Sequence, residues 1–137
     1  MAYGMVVDRV CNLCGLEVES RDHLFFQCAY SRRVWESLLQ ACLVHRNVLS
    51  WHQELIWTVN NLKGKSLQAI VFKLAWNGYI YAIWRDRNCR QFRGCMRAED
   101  DIVHQDVECV QMKLKGKCVN AIGIMNSSIC SRWSLTV

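Results

Sequence analysis

The chain has 137 residues, which is enough for one domain with a hydrophobic core and too few for two. Its content of 52% apolar and 21% charged residues excludes an intrinsically disordered chain. The net charge is +5, and residues 46–95 hold eight basic and two acidic side chains, so the positive charge is concentrated there. Nine cysteines at irregular spacing argue against a disulfide framework and for a reducing compartment, nuclear or cytoplasmic.

The first predicted element is a β-hairpin or knuckle. Val6 and Val7 are expected to pair with residues 16–18, which puts Cys11 and Cys14 on the turn between the two strands. Gly15 is free to adopt a positive φ behind this turn. Two cysteines three residues apart on a tight turn can point both sulfur atoms at one metal ion.

The next predicted element is a short, distorted turn from His23 to Cys28. With Cys11 and Cys14, these two residues complete the spacing C-x2-C-x8-H-x4-C, and three thiolates with one imidazole are a typical ligand set for structural zinc. In a regular helix, His23 and Cys28 would point about 140° apart, so we expect an irregular turn. The alternative is that these cysteines are ordinary buried apolar residues.

Four helices are predicted after this turn from the 3.6-residue spacing of apolar side chains. They begin at Ser31, at a capping box that starts with Ser50, at Leu67 after a cap by Ser66, and at about Arg97. The third helix, Leu67 to about Arg90, is apolar on most sides and is interpreted as a buried core helix rather than a membrane span. The predicted fold class is therefore mainly α: a small helical domain with an N-terminal zinc-binding β-hairpin or knuckle. We expect residues 1–30 to form the zinc hairpin, 31–115 the helical core and 116–137 a loose C-terminal tail.

A basic and aromatic cluster near the end of the third helix is the candidate nucleic-acid contact. Guanidinium groups bind phosphates bidentately, and aromatic rings stack on unpaired bases. The alternative is that basic residues here only complement the helix dipole. The candidate residues are Trp84, Arg85, Arg87, Arg90 and Arg93.

Two blocks of the sequence resemble the zinc-binding region near the C-terminal end of plant non-LTR (LINE-type) retrotransposon reverse transcriptases. The first block contains Cys11-x2-Cys14, His23-Leu24-Phe25-Phe26-x-Cys28 and Tyr30-Ser31-x2-Val34-Trp35. The second contains Trp76-Asn77, Tyr81-x-Ile83-Trp84 and Arg87-Asn88-x-Arg90-x-Phe92. The resemblance implies a Zn²⁺-binding module that helps a retroelement protein hold RNA or DNA.

The departures from this family limit what the resemblance implies. Only ten residues precede Cys11, so we expect a region truncated at its N-terminal side, and Ala29 stands where the family often has proline. The sequence contains no polymerase domain and no hydrolase or phosphate-loop motif, so we expect no enzymatic activity and no small-molecule substrate. Two alternatives stay open: a structural or protein-interaction module in which zinc only stabilises the fold, and a retroelement remnant without function. No membrane partner is expected.

Overall fold

The computed structural model describes residues 9–62, 64–115 and 123–135. The predicted mainly helical fold is confirmed. In chain order, the elements are a π-helical turn, His23–Gln27, and the α-helices α1, Ala29–Ala41; α2, Trp51–Asn61; α3, Leu67–Arg93; α4, Glu99–Leu114; and α5, Ile124–Arg132.

The helix boundaries follow the capping signals of the sequence. The Ser50 side chain accepts a hydrogen bond from the backbone of Gln53, whose side chain accepts one from the backbone of Ser50, and this capping box begins α2. The Ser66 hydroxyl accepts a hydrogen bond from Ala69 N and begins α3. Helix α3 ends at Gly94, whose φ of 71° favours glycine.

The segment before the π-helical turn is a closed loop held by one isolated antiparallel bridge, between Val10 and Val18. The described part of the chain contains no β-strand, and Val6 and Val7 of the predicted hairpin lie outside the described residues. Val10 and Val18 are 51% and 55% exposed, so there is no apolar face whose burial would extend the bridge into a sheet. The loop is instead closed by backbone hydrogen bonds from Cys11 N to Glu17 O and from Glu19 N to Arg9 O, both 2.7 Å.

Helix α3 is the centre of the molecule, as its apolar pattern predicts. It packs along α4 and contacts α1, α5 and the π-helical turn. An aromatic cluster fills the space between α1, α3 and the π-helical turn, and the centroids of contacting rings lie 4.9–5.9 Å apart. Its members are Phe26, Trp35, Phe72, Trp76 and Tyr79. Among the described residues, no helix is long and apolar enough to cross a membrane.

The prediction of a loose tail over residues 116–137 is wrong for residues 123–135. These residues form α5 and the turn after it, and the side chains of Ile129 and Trp133 are fully buried. The indole nitrogen of Trp133 donates to Ala41 O at 2.8 Å, and Gln111 donates to Trp133 O at 2.9 Å, so the segment is attached to both α1 and α4. Burial of these two side chains stabilises α5. The apolar periodicity of the segment is weak, so the sequence pattern did not predict this helix. Residues 116–122 and 136–137 lie outside the described part.

Candidate metal centre

The structure brings the four predicted ligands together. The Sγ atoms of Cys11, Cys14 and Cys28 and a ring nitrogen of His23 all lie within 4.8 Å of one another. Cys11, His23 and Cys28 are buried, and Cys14 is half-buried. A compact, largely buried group of three sulfur atoms and one imidazole nitrogen fits the donor set of a structural zinc site.

Two separations within the group test whether it has the size of a zinc site. A tetrahedral ion with Zn–S bonds of about 2.3 Å and a Zn–N bond of about 2.0 Å requires S–S edges of about 3.8 Å and an S–N edge of about 3.5 Å. The Sγ atoms of Cys11 and Cys28 are 3.9 Å apart, and Cys14 Sγ is 3.3 Å from His23 Nε2. These are two opposite edges of the tetrahedron, and both agree with the expected lengths to within a few tenths of an ångström.

The π-helical turn explains how His23 and Cys28 share one ion despite their five-residue separation. Cys28 N donates to His23 O at 2.7 Å, which is the i→i+5 hydrogen bond of a π-helix. Because this turn is wider than an α-helical turn, residue i+5 returns to the side of the helix from which residue i projects. The predicted irregular turn is therefore confirmed, and it also buries Leu24, Phe25 and Phe26 in the core.

Side chains from α1, from α3 and from the preceding loop hold the π-helical turn in place. The Ser31 hydroxyl, on α1, donates to Leu24 O. The Tyr79 hydroxyl, on α3, donates to Phe25 O and lies 2.9 Å from Ser31 O, so both carbonyl groups share its proton. On the other side of the turn, Ser20 Oγ accepts from His23 N at 3.1 Å. These contacts fix the backbone that carries two of the four ligands.

A carboxylate orients the imidazole. Glu17 Oε2 lies 3.3 Å from His23 Nδ1, while His23 Nε2 faces Cys14. A carboxylate at Nδ1 favours the tautomer in which Nδ1 carries the proton and Nε2 is free to bind a metal. Glu17 was not among the predicted site residues, because the sequence does not show which carboxylate lies next to the imidazole.

The two buried cysteines have unequal acidities. The Cys11 thiol donates to Cys28 Sγ, and this contact lowers the pKa of Cys28 to about 7. The same contact, together with burial, raises the pKa of Cys11. Cys28 is therefore the more acidic of the two thiols, and a cation between the sulfur atoms would favour the thiolate form of both.

The C-terminal half of α3 attaches residues 9–20, the metal loop, to the helical core. The Arg87 guanidinium donates to both carboxylate oxygens of Glu19 at 2.9 Å, and Asn12 Nδ2 donates to Arg87 O at 3.0 Å. Arg90 donates to Asn12 O at 3.2 Å, within the first cysteine pair, and to Asp86 at 2.8 Å. The segment Asn12–Leu13 between the first two ligands is thus held by two arginines of α3.

These contacts give Arg87 and Arg90 a role different from the predicted nucleic-acid contact. Their side chains are only 9% and 8% exposed, and both are paired with carboxylates. The other predicted contact residues are more accessible: Trp84 is 48% exposed, Arg85 is half-buried and Arg93 is exposed. Sequence reasoning missed the pairing because it treated the acidic metal stretch and the basic end of α3 as separate features.

Cys89 and Cys95 lie against each other, with their Cα atoms 5.6 Å apart. A spacing of six residues does not by itself predict this contact. The left-handed Gly94 reverses the chain after α3 and brings Cys95 back against Cys89. This cysteine pair lies outside the candidate metal centre.

Comparison with known proteins agrees with the geometry of this site. The family model described as zinc-binding in reverse transcriptase matches residues 1–35, a span that contains all four ligands. This part of the chain is similar to that family, and the Cys3His cluster fits a zinc-binding module. No curated protein and no solved structure matches the chain.

Proposed function

We propose that the chain is a non-catalytic module that binds one Zn²⁺ through Cys11, Cys14, His23 and Cys28. The observation that carries this proposal is the agreement of the two measured edges, 3.9 and 3.3 Å, with a tetrahedral site. All four positions are protein ligands, so an ion bound there has no open position for a substrate. The finer assignment, to the zinc-binding region of a plant LINE-type reverse transcriptase, rests on the sequence blocks described above.

The bound ion would link the loop to the π-helical turn. Residues 9–20 have little apolar surface in the core apart from Cys11 and Leu13, so burial alone gives them little stability. An ion bound by Cys11 and Cys14 of this loop and by His23 and Cys28 of the turn cross-links the two segments. The unfolded chain lacks this cross-link, so the free energy of metal binding contributes to the free energy of folding.

Metal content of the purified chain tests this proposal. Native mass spectrometry should show one zinc per chain, and Cys14→Ser should lower that content together with the thermal midpoint. Cys109→Ser is the matched control, because Cys109 is exposed and far from the ligand group in the sequence. A chain that holds no zinc and melts at the same temperature with and without a chelator contradicts the proposal.

We further infer that the module associates with RNA or DNA, in the nucleus or cytoplasm. The support is the excess of six positive charges in residues 46–95 and the match of residues 1–35 to the family described as zinc-binding in reverse transcriptase. The metal loop itself carries Glu17, Glu19 and Asp22, so the nucleic acid would bind away from the metal centre. Salt-dependent binding of a labelled single-stranded oligonucleotide tests this association.

A structural or protein-interaction module is the competing function. It is favoured by the internal use of Arg87 and Arg90, which removes two cations from the surface. It predicts that zinc is bound while no oligonucleotide binds, even at low salt.

A further inference from the structure

One face of α3 exposes three aromatic rings, those of Tyr81, Trp84 and Phe92. Tyr81, Arg85, Asn88 and Phe92 follow one another at intervals of three and four residues, with Trp84 beside them, so all five lie on the same side of the helix. Tyr81 is 61% exposed, Trp84 48% and Phe92 74%. From Tyr81 to Phe92 the row extends about 16 Å along the helix axis, at 1.5 Å per residue.

An open cleft with three arginines lies at the C-terminal end of this row. Its volume is about 480 Å³, and Arg85, Phe92, Arg93 and Arg97 are among the residues that line it. Within the described part of the chain, none of these three guanidinium groups has a carboxylate within 4 Å. The one acidic residue in the lining, Asp86, is 3% exposed and paired with Arg90, so the cleft presents net positive charge.

The wall of the cleft is fixed before any ligand binds. The backbone oxygen of Arg97 accepts hydrogen bonds from the Tyr30 hydroxyl at 2.8 Å and from Arg90 at 3.0 Å. The left-handed Gly94 reverses the chain after α3 and places Cys95 against Cys89, next to the segment that carries Arg97. Because this backbone is already held in place, a ligand that binds here pays a smaller entropic cost for ordering the segment.

We propose that this face of α3, defined by Tyr81, Trp84, Arg85, Phe92, Arg93 and Arg97, is a binding track for single-stranded nucleic acid. Unpaired bases stack on the exposed rings, and the arginines of the cleft bind the phosphates. Duplex bases are stacked on each other and cannot reach the rings, so a single strand is favoured over a duplex. The inference rests on the proposed association with RNA or DNA and names where that association occurs.

The charge of the face decides between a nucleic acid and a protein partner. Exposed aromatic and arginine side chains are common in protein interfaces as well. Within the described residues, however, the three arginines have no carboxylate partner, so a protein partner would have to supply matching carboxylates, while a nucleic acid supplies a phosphate at every nucleotide. On this face Trp84 adjoins Arg85 and Phe92 adjoins Arg93, so a ring and a guanidinium group are neighbours at two places.

Fluorescence anisotropy with labelled oligouridine and oligothymidine of about twelve nucleotides tests the track, because single-strand sites commonly span about 4–16 nucleotides. Phe92→Ala should weaken binding by about 5- to 150-fold, which is the loss of one stacked base. Phe92→Tyr should restore binding. Arg93→Ala and Arg97→Ala should each lower the slope of log affinity against log salt by about 0.7.

Two control variants match these changes in type. Lys65→Ala removes one exposed positive charge before α3, at the opposite end of that helix. Val59→Ala removes exposed apolar surface on α2, where the side chain is 66% exposed. Both should leave the affinity and the salt slope as in the unmodified chain. Zinc content and thermal midpoint, measured on every variant, separate loss of binding from loss of fold.

The outcomes distinguish the track from the broader association. If the unmodified chain binds no RNA or DNA at low salt, the proposed association fails and the track fails with it. If the chain binds but the variants at Phe92, Arg93 and Arg97 bind as Lys65→Ala does, the association stands and the track is wrong. Equal affinity for duplex and single strand, unaffected by Phe92→Ala, also overturns the track because it shows that stacking contributes nothing.

Discussion

Arg87 and Glu19 form a bidentate ion pair between the metal loop and α3. Both guanidinium–carboxylate distances are 2.9 Å, and the two side chains are 9% and 17% exposed. Arg87 also stacks on Trp84, with its guanidinium carbon 5.1 Å from the ring centroid. The pair joins residues 68 positions apart in the sequence. It therefore connects the two blocks of sequence that carry the resemblance to reverse transcriptases.

Removal of one partner of this pair should destabilise the chain. Glu19→Ala leaves the Arg87 guanidinium largely buried without a counter-charge, and we expect the free energy of unfolding to fall by about 2–4 kcal/mol. Urea denaturation at saturating zinc measures this change. Glu36→Ala removes an exposed carboxylate from α1 and should have an effect below about 0.5 kcal/mol. Equal stability of the two variants would show that the ion pair does not hold the loop.

The Tyr79 hydroxyl should matter for metal affinity as well as for stability. Tyr79→Phe leaves the carbonyl groups of Phe25 and Ser31 without their shared donor in a buried place, at a cost of about 1–3 kcal/mol. Because Phe25 lies between His23 and Cys28, the looser turn should also bind zinc more weakly. Competition with a chromogenic chelator measures the affinity. Tyr81→Phe is the control, since Tyr81 is on the same helix and 61% exposed. If Tyr79→Phe binds zinc as tightly as the unmodified chain, the Tyr79 hydroxyl does not stabilise the turn.

Glu54 anchors the loop between α1 and α2. Its side chain is fully buried and accepts two hydrogen bonds from Arg46, at 2.8 and 2.9 Å, and one from Leu49 N at 2.9 Å. Glu54→Ala should lower the free energy of unfolding by about 3–5 kcal/mol, because it leaves a guanidinium and a backbone N–H without their acceptor. Thermal and urea unfolding measure the loss. A change as small as that of Glu36→Ala would contradict this account of Glu54.

Local features of the fold could be predicted from the sequence because local rules decide them. The ligand spacing predicts the metal group, and the mismatch between five residues and an α-helical turn predicts the irregular segment from His23 to Cys28. Ser50 and Ser66 predict the starts of α2 and α3, since each supplies the acceptor that a helix N-terminus lacks. Gly15 has the positive φ expected of it, 69°.

Features that depend on contacts distant in sequence could not be predicted in the same way. The sequence shows a basic end of α3 and an acidic metal stretch, but only the fold brings Arg87 to Glu19 and Arg90 to the loop at Asn12. Helix α5 was missed because its stability comes from Ile129 and Trp133 packing against elements far away in sequence. A nine-residue helix that contains Asn126, Ser127, Ser128 and Ser131 has little intrinsic helical preference to detect.

Asp106, on α4, is a buried acid without a partner. Its side chain is 1% exposed, and within the described residues neither carboxyl oxygen has a hydrogen-bond partner. It packs against Gly78 of α3, where an added Cβ would lie only 2.1 Å from Asp106 Oδ1. Desolvation in this position raises the pKa of Asp106 to about 8, from 3.8.

This raised pKa predicts that stability falls as the pH rises. The folded chain keeps the Asp106 proton up to about pH 8, while the unfolded chain loses it near 3.8, so the folded state binds more protons between these values. The protonated Asp106 stabilises the fold fully below pH 3.8, and this stabilisation is lost as the pH rises toward about 8. The loss is at most about 1.4 kcal/mol per pH unit. Asp106→Asn should flatten this dependence between pH 6 and 8. Urea unfolding with zinc held at saturation measures it, since thiol protonation weakens metal binding at lower pH. Asp100→Asn, at an exposed position of the same helix, should keep the slope of the unmodified chain; if Asp106→Asn keeps it too, another group governs the dependence.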